Sequence, residues 1–389
     1  MENKIYYLDY NATTPLNSDI FKVMEPYFKD YYGNPASIYG LGRESLKAIQ
    51  KARGQVAALI HAKDREIIFT SGGTESNNLA IRGALKLNPS KNKIITSTVE
   101  HSSVRNVFRD LEKEGAQVFR VAVNKNGELN LQELEKLLSA DVALVSVMWA
   151  NNETGVIFPI EDVAKLVKKH GILFHVDAVQ AAGKIKIDVS KIPVDLLSIS
   201  AHKFYGPKGV GALFVRESIS LPPMIVGGHQ EREKRAGTEN VPAIVGMGEA
   251  ARLAVSYLEN KKSIGNLRDR LETLLLSSVP DSFVNGGSVE RVSNTVNLTI
   301  PGALAEVLIP RLDEEGICVS SGSACLTGAL EPSLVLRAMG LTEEFAKSSI
   351  RLSLGNATSE KEIDHVIQVI PRVVKEIRDV RKKELVTND

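Results

Sequence analysis

The apolar positions of this chain follow two rhythms. Short runs in which most residues are apolar recur between longer segments whose apolar residues return every three or four positions. The short runs are Glu66–Thr70, Lys93–Ser97, Gln117–Val121, Val142–Val147, Ile172–Val176, Leu196–Ile199 and Val210–Val215, and each is predicted to be a strand. Helical spacing is found over Asp19–Phe28, which a Tyr32-Gly-Asn-Pro35 turn closes off. It returns over Arg43–Ile60, where Ala48, Ile49, Ala52, Val56 and Leu59 share one face, and again after Ser102, from Leu131, and over Ile160–His170. Apolar strands alternating with amphipathic helices predict an α/β fold, a mostly parallel sheet flanked by helices on both faces.

After Val215 the pattern changes. A polar, glycine-bearing stretch, Val226–Asn240, leads to Pro242 and a long helical segment from about Ala243 to Ser278, the kind of element that links two domains. Beyond it Asn294–Ile300 alternates as a strand does, Ala303–Glu315 is helical, and Gly316–Ser320 and Ser349–Leu354 are strand-like. Lys361–Val374 is a last amphipathic helix. This predicts a smaller α+β domain, so the chain divides into residues 16–255 as a large domain and residues 1–15 plus 256–389 as a small one.

Composition narrows the function classes. The 389 residues exceed what a single core usually holds. A formal net charge of +1, with no basic run beyond Arg381-Lys-Lys, argues against nucleic acid as the main partner. No apolar run reaches membrane-spanning length, and Met1-Glu-Asn-Lys lacks the opening of a signal peptide, so a cytoplasmic protein is expected. Two cysteines, Cys318 and Cys325, are too few for a disulfide framework, and no metal centre is expected.

In parallel sheets ligands gather beyond the carboxyl ends of the strands. At those ends this chain carries His101, Asn151 and Asn152, Asp177, and Lys203, which follows Leu196–Ile199 and precedes a Gly206-Pro-Lys-Gly turn. A lysine partly withdrawn from water there tends toward the neutral amine that condenses with aldehydes. Thr70-Ser-Gly-Gly-Thr74 is a strand, a turn and a helix start, so Gly73 and Thr74 offer a phosphate free N–H groups and a hydroxyl. An amine, an acid, a histidine and a phosphate cradle together suit pyridoxal 5'-phosphate, whose aldehyde binds a lysine and whose ring nitrogen needs a carboxylate. A nicotinamide-dinucleotide site is the rival for such a fold, but no glycine fingerprint followed by an acid stands after the first strand. In the small domain Ser320–Leu330 is a loop of small residues around Cys325, an exposed type of cysteine, whereas Cys318 falls in strand-like sequence and reads as packing.

Seven segments in order carry a further resemblance: Tyr7-Leu-Asp-Tyr-Asn-Ala-Thr-Thr-Pro15, Thr70-Ser-Gly-Gly-Thr-Glu-Ser-Asn-Asn78, Asn151-Asn-Glu-Thr-Gly155, His175-Val-Asp-Ala-Val-Gln180, Ser200-Ala-His-Lys-Phe-Tyr-Gly-Pro-Lys-Gly209, Arg235-Ala-Gly-Thr-Glu-Asn240 and Ser320-Ser-Gly-Ser-Ala-Cys325. Together they resemble cysteine desulfurases of the NifS/IscS type, within the class V aminotransferase group. The resemblance implies a fold-type I pyridoxal-phosphate enzyme, a homodimer with active sites shared between subunits, and conversion of L-cysteine to L-alanine with sulfur passed to an enzyme cysteine for iron–sulfur clusters or thiolated cofactors. It implies Lys203 as the aldehyde-binding lysine and proton carrier, Asp177 at the ring nitrogen, Gln180 at the ring oxygen, and His101 as a catalytic residue stacked on the ring and helping to move protons. Thr74, Ser200 and His202 would hold the phosphate with Thr238 of the neighbouring subunit. Asn152 and Arg351 would face the substrate, and Cys325 would receive the sulfur. Two departures stand out: Glu233 where the family commonly has glycine, and an end at Val386-Thr-Asn-Asp389 without the tail some members use to meet an iron–sulfur scaffold, which leaves the sulfur acceptor open. Selenocysteine lyases and other class V lyases share the core motifs, and a sulfur-transfer scaffold without catalysis is the alternative outside enzymes.

Overall fold

The computed structural model of the chain describes residues 4–258, 261–321 and 331–387. In chain order the strands among them are β1 (Tyr6–Tyr7), β2 (Ile67–Thr70), β3 (Lys93–Ser97), β4 (Gln117–Val121), β5 (Val142–Met148), β6 (Leu173–Asp177), β7 (Leu196–Ser200), β8 (Gly211–Val215), β9 (Phe283–Val284), β10 (Thr295–Thr299), β11 (Ile317–Cys318) and β12 (Ser349–Ser353). Seven of them form one sheet in the order β2-β8-β7-β6-β5-β3-β4, in which β8 alone runs against its neighbours. The expected mostly parallel sheet is therefore present. Its inner strands are apolar at nearly every position because both faces are covered. Ile95, Val145, Phe174 and Leu197 pack toward the helices Gly40–Leu59 and Val241–Tyr257, while Ile94, Leu144, Leu196 and Leu213 pack toward Gly73–Leu87 and Ser102–Lys113. Burying each such side chain stabilises the fold by about 1.5–3 kcal/mol.

The remaining strands build a second, smaller layer. β12, β10 and β9 form an antiparallel sheet with Arg351 opposite Asn297, and β1 pairs in parallel with β11. Leu8 shares a core with Leu271, Leu298, Ile350, Ile363 and Ile370, so the first residues of the chain pack with its last third.

Several boundaries differ from the sequence expectation. Asp19–Phe28 is two helices, Ser18–Met24 and Pro26–Lys29, because Pro26 has no N–H to continue the first and suits the opening turn of the second. Within Ala243–Ser278 the described residues form two helices, Val241–Tyr257 and Lys261–Ser278. The last helix runs over Glu360–Thr387, well past Val374, and short helices at Leu334–Ala338 and Glu343–Lys347 had no clear period. Among the described residues no helix is long and apolar enough to cross a membrane.

Candidate active site

The carboxyl ends of β3, β5, β6 and β7 open on one cavity of about 340 Å³. Gly73, Thr74, His101, Asn152, Asp177, Gln180, Ser200, His202, Lys203 and Arg351 all border it.

One end of the cavity is the turn between β2 and the helix Gly73–Leu87. Gly72 sits at φ 155° and ψ −177°, a conformation open essentially to glycine, and a Cβ on Gly73 would come within 2.8 Å of Val179. The turn is held by Thr70 Oγ1 against Ser76 Oγ at 2.8 Å and by Ser71 N–H donating to Glu75 Oε2 at 2.9 Å, with Glu75 paired to Arg235. The first backbone N–H groups of this helix have no partner within it, so they are left to an anion. Ser200, at the end of β7, and His202 stand at the same border. Burial first, then Lys203 and Lys208, pushes the His202 imidazole down to about 4, so it is uncharged at neutral pH.

Beneath the middle lies a buried polar chain. Asp177 closes β6, 5 % exposed, and its Oδ1 accepts the Val179 N–H at 3.0 Å. Asn77 spends both amide hydrogens here, on Asp177 Oδ2 and on Ser103 Oγ, each at 2.8 Å. The Ser103 hydroxyl is thus left to donate to His101 Nδ1 at 2.8 Å, joined by the Ser103 N–H at 3.2 Å. Nδ1 is therefore an acceptor, and a neutral His101 carries its proton on Nε2. The ring is open to the cavity but ringed by protein, and this desolvation holds its pKa below the ordinary value against the pull of Asp177.

Lys203 lies on the turn Ala201–Lys203 after β7. A strap from the N-terminus clamps this turn: Thr14 Oγ1 donates to His202 O at 3.0 Å and accepts the Tyr205 N–H at 2.8 Å. Lys203 Nζ donates to Asn11 O and Ala12 O, both at 2.7 Å. Desolvation first, then Arg351, lowers its pKa to about 8 although Asp9 and Asp177 oppose the shift. About a tenth of such amines are neutral at pH 7, against about one in three thousand at the ordinary value.

Arg351 forms the other end. It is 4 % exposed, its Nη1 donates to Asn152 O at 2.8 Å, its Nη2 pairs with Asp9 Oδ1 at 2.5 Å, and its Nε is buried without a hydrogen-bond partner. A spare donor on a buried guanidinium suits a carboxylate.

A family model described as "Aminotransferase class-V" matches residues 6–366. The chain belongs to the class-V aminotransferase family. A relative named cysteine desulfurase from Nostoc sp. is 50 % identical over 375 residues, which are 96 % of this chain and 94 % of that protein. Of solved structures, one named "NIFS-LIKE PROTEIN" superposes with a TM-score of 0.90 at 37 % identity, covering 96 % of this chain and 100 % of that one. Another, "SspA in complex with cysteine", does so with a TM-score of 0.79 at 35 % identity, covering 90 % and 98 %. Class-V aminotransferases are pyridoxal-phosphate enzymes, and the site fits that group on its own terms: a lysine with a lowered pKa, a buried carboxylate 5 % exposed, and a helix N-terminus cradle around one cavity.

Thr238 and Cys325 stand apart from the rest of the expected residues. Thr238 is exposed and does not border it. Cys325 lies outside the described residues, whereas Ser320, five positions before it, is part of the cavity wall. Cys318 is half-buried in β11, and burial first, then Asp313 and Asp9, raises its thiol pKa, which disfavours the reactive thiolate. Asp9, Asn11, Asn77 and Ser103 were missed as site residues. Asp9, Asn11 and Asn77 lie inside the quoted motifs, and Ser103 two residues after His101 is an ordinary helix-start hydroxyl, so only position could have pointed to them.

Proposed function

We propose that this chain is a pyridoxal-phosphate-dependent cysteine desulfurase that converts L-cysteine to L-alanine and takes the sulfur as a persulfide on Cys325. The observation that carries the reading is Lys203, with its pKa near 8, in one cavity with Asp177, His101, the Gly73–Thr74 helix start and Arg351. The 50 % identical relative of that name supports it.

Gly73, Thr74, Ser200 and His202 would hold the cofactor's phosphate, Asp177 its ring nitrogen, Gln180 its ring oxygen, and Lys203 its aldehyde, with His101 against the ring. When bound, that cofactor supplies an electron-withdrawing ring conjugated to the substrate amine, which lets the Cα proton leave. Asn77 and the Val179 N–H keep Asp177 in place, as acceptor of two hydrogen bonds, for a protonated ring nitrogen. Arg351 takes the substrate carboxylate and Asn152 borders it, which orients the Cα–H bond toward Lys203. The neutral Lys203 amine removes that proton and is also the group able to return one. The Cys325 thiolate attacks the substrate sulfur, the carbon–sulfur bond breaks with its electron pair left on Cβ, and Cβ is protonated to give alanine. Ser320, five positions before Cys325 in the chain, borders the cavity.

The same proposal includes a homodimer, the division into residues 16–255 and 1–15 plus 256–389, and a cytoplasmic setting. Exposed Phe28, Tyr32, Ile38, Tyr39 and Val226 support a covered face between subunits, and Thr238, exposed and outside its own cavity, suits the neighbour's phosphate. The sulfur acceptor would be a second protein, such as an iron–sulfur scaffold. Replacing Cys325 by alanine tests the mechanism. The variant is expected to keep the visible absorbance of the lysine-bound cofactor but to lose sulfur release from L-cysteine; release at the normal rate would overturn the persulfide route.

A further inference from the structure

Behind the cavity lies a second amine that the reaction above does not use. Lys184 Nζ donates to Asn11 Oδ1 and to Gln180 Oε1, both at 2.7 Å. Both acceptors are neutral, and among the described residues Lys184 has no carboxylate within ion-pair distance. On its other side is a small cavity of about 40 Å³ bordered by Tyr10, Tyr205, Tyr257, Asn294 and Lys203, which offers hydroxyls and an amide but again no acid. A lysine without a counter-ion in the interior is costly, and an unbranched apolar side chain such as methionine, one atom shorter, would avoid that cost. The place therefore calls for hydrogen-bond donors.

The two ends of a glutamine amide have nearly the same shape, so the donors and acceptors around them decide which way it faces. Gln180 Nε2 donates to Asn11 O at 2.9 Å while Oε1 receives Lys184. Turned over, Oε1 would meet the Asn11 carbonyl and Nε2 would meet the lysine, acceptor against acceptor and donor against donor. Asn11 is fixed in turn: its Oδ1 also accepts Asn294 Nδ2 at 3.1 Å, its Nδ2 donates to Thr295 Oγ1 at 2.8 Å, and its carbonyl takes Lys203.

We propose that Lys184 is a positioning residue that locks the Gln180 amide so that its second Nε2 hydrogen is available to the cavity as a donor for the cofactor's ring oxygen. This rests on the pyridoxal-phosphate reading above. Only two hydrogens are needed, and a lysine keeps two when it loses its charge. Burial, with Lys203 and Arg351 nearby, pushes the Lys184 pKa well below its ordinary value, so the lock holds in either state.

The test is a double-mutant cycle on the full-length protein stripped of cofactor, titrated with pyridoxal phosphate and followed by visible absorbance, with thermal melting alongside. Lys184→Met and Gln180→Leu are each expected to weaken binding about tenfold, the double variant no further than the weaker single, and Lys184→Met to melt no lower than wild type. If the methionine variant does not fold, Lys184→Gln, too short to bridge both acceptors, is expected to give the same weakening. Wild-type affinity in the Lys184 variant, or losses that multiply in the double variant, would overturn the proposal. A wild type that binds no pyridoxal phosphate would overturn the functional reading and this one with it; a wild type that binds, with an equally tight Lys184 variant, overturns this one alone.

Discussion

The two walls of the cavity are assembled in different ways. On the sheet side Asp177, Lys203 and His101 each lie within a few residues of a strand end; the Val179 and Ser103 N–H groups hold Asp177 and His101 locally, while Asn77 reaches Asp177 from 100 positions away and the Asn11 and Ala12 carbonyls take Lys203 from 192 and 191 positions away. On the opposite side Arg351 is held by Asp9 from 342 positions away, and Asn11 by Thr295 from 284 positions away. The sheet wall is a consequence of parallel strands ending together. The strap touches both walls, but the residues of the sheet wall are first gathered by strands ending at one edge, whereas Arg351 and Asn11 meet only once the strap has packed with β10 and β12.

The sharpest way to separate the walls is to remove one residue from each. Lys203→Ala is expected to reduce turnover of L-cysteine by about 10³-fold or more and to abolish borohydride-stable attachment of the cofactor, since base and attachment point go together. A pH series probes the same wall more gently. Because the lysine pKa is lowered to about 8 and the neutral amine is the reacting form, attachment of added cofactor should speed up as pH rises and level off above 8. At pH 6 about one amine in a hundred is neutral, so stopped-flow absorbance should show attachment roughly fiftyfold slower than at pH 8. A flat profile would mean that Lys203 is not the attachment point.

On the far wall, Arg351→Lys keeps the charge but loses the planar fork. It is expected to raise KM for cysteine ten- to a hundredfold while leaving cofactor affinity within about twofold, a split that steady-state kinetics and cofactor titration read separately. Equal losses of both would show that the two walls do not act independently. The smallest effect is expected from Glu233, whose φ of 62° follows two further left-handed residues, Glu231 and Arg232. Among the described residues its carboxylate meets only His229, at the surface, so Glu233→Gly should raise stability by about 0.5–1 kcal/mol, measured by chemical denaturation.

This contrast also accounts for what could be read from the sequence. Apolar runs such as Val142–Val147 end abruptly, and the polar residues after them could be placed at one edge without knowing any contact. Asn77 could not be recognised in that way, because its reason for being polar is Asp177, 100 positions on, and an amphipathic pattern carries no record of its partner. Lys184 carries no sequence signal for the same reason: its partners Asn11 and Gln180 are set by the fold. Pro26 is a local signal for the break within Asp19–Phe28. The roles given to Gln180, Thr238 and Arg351 came from resemblance and not from spacing; the fold puts Gln180 and Arg351 at the cavity and leaves Thr238 outside it.

The central claim is that Lys203 activates cysteine while Cys325 collects its sulfur. Incubating the purified protein with L-cysteine, blocking thiols, and mapping bound sulfur by mass spectrometry while counting alanine tests it directly. The account predicts one alanine released per sulfur atom bound, with the sulfur on Cys325. Sulfur on Cys318, or alanine formed with no sulfur on the protein, would contradict it.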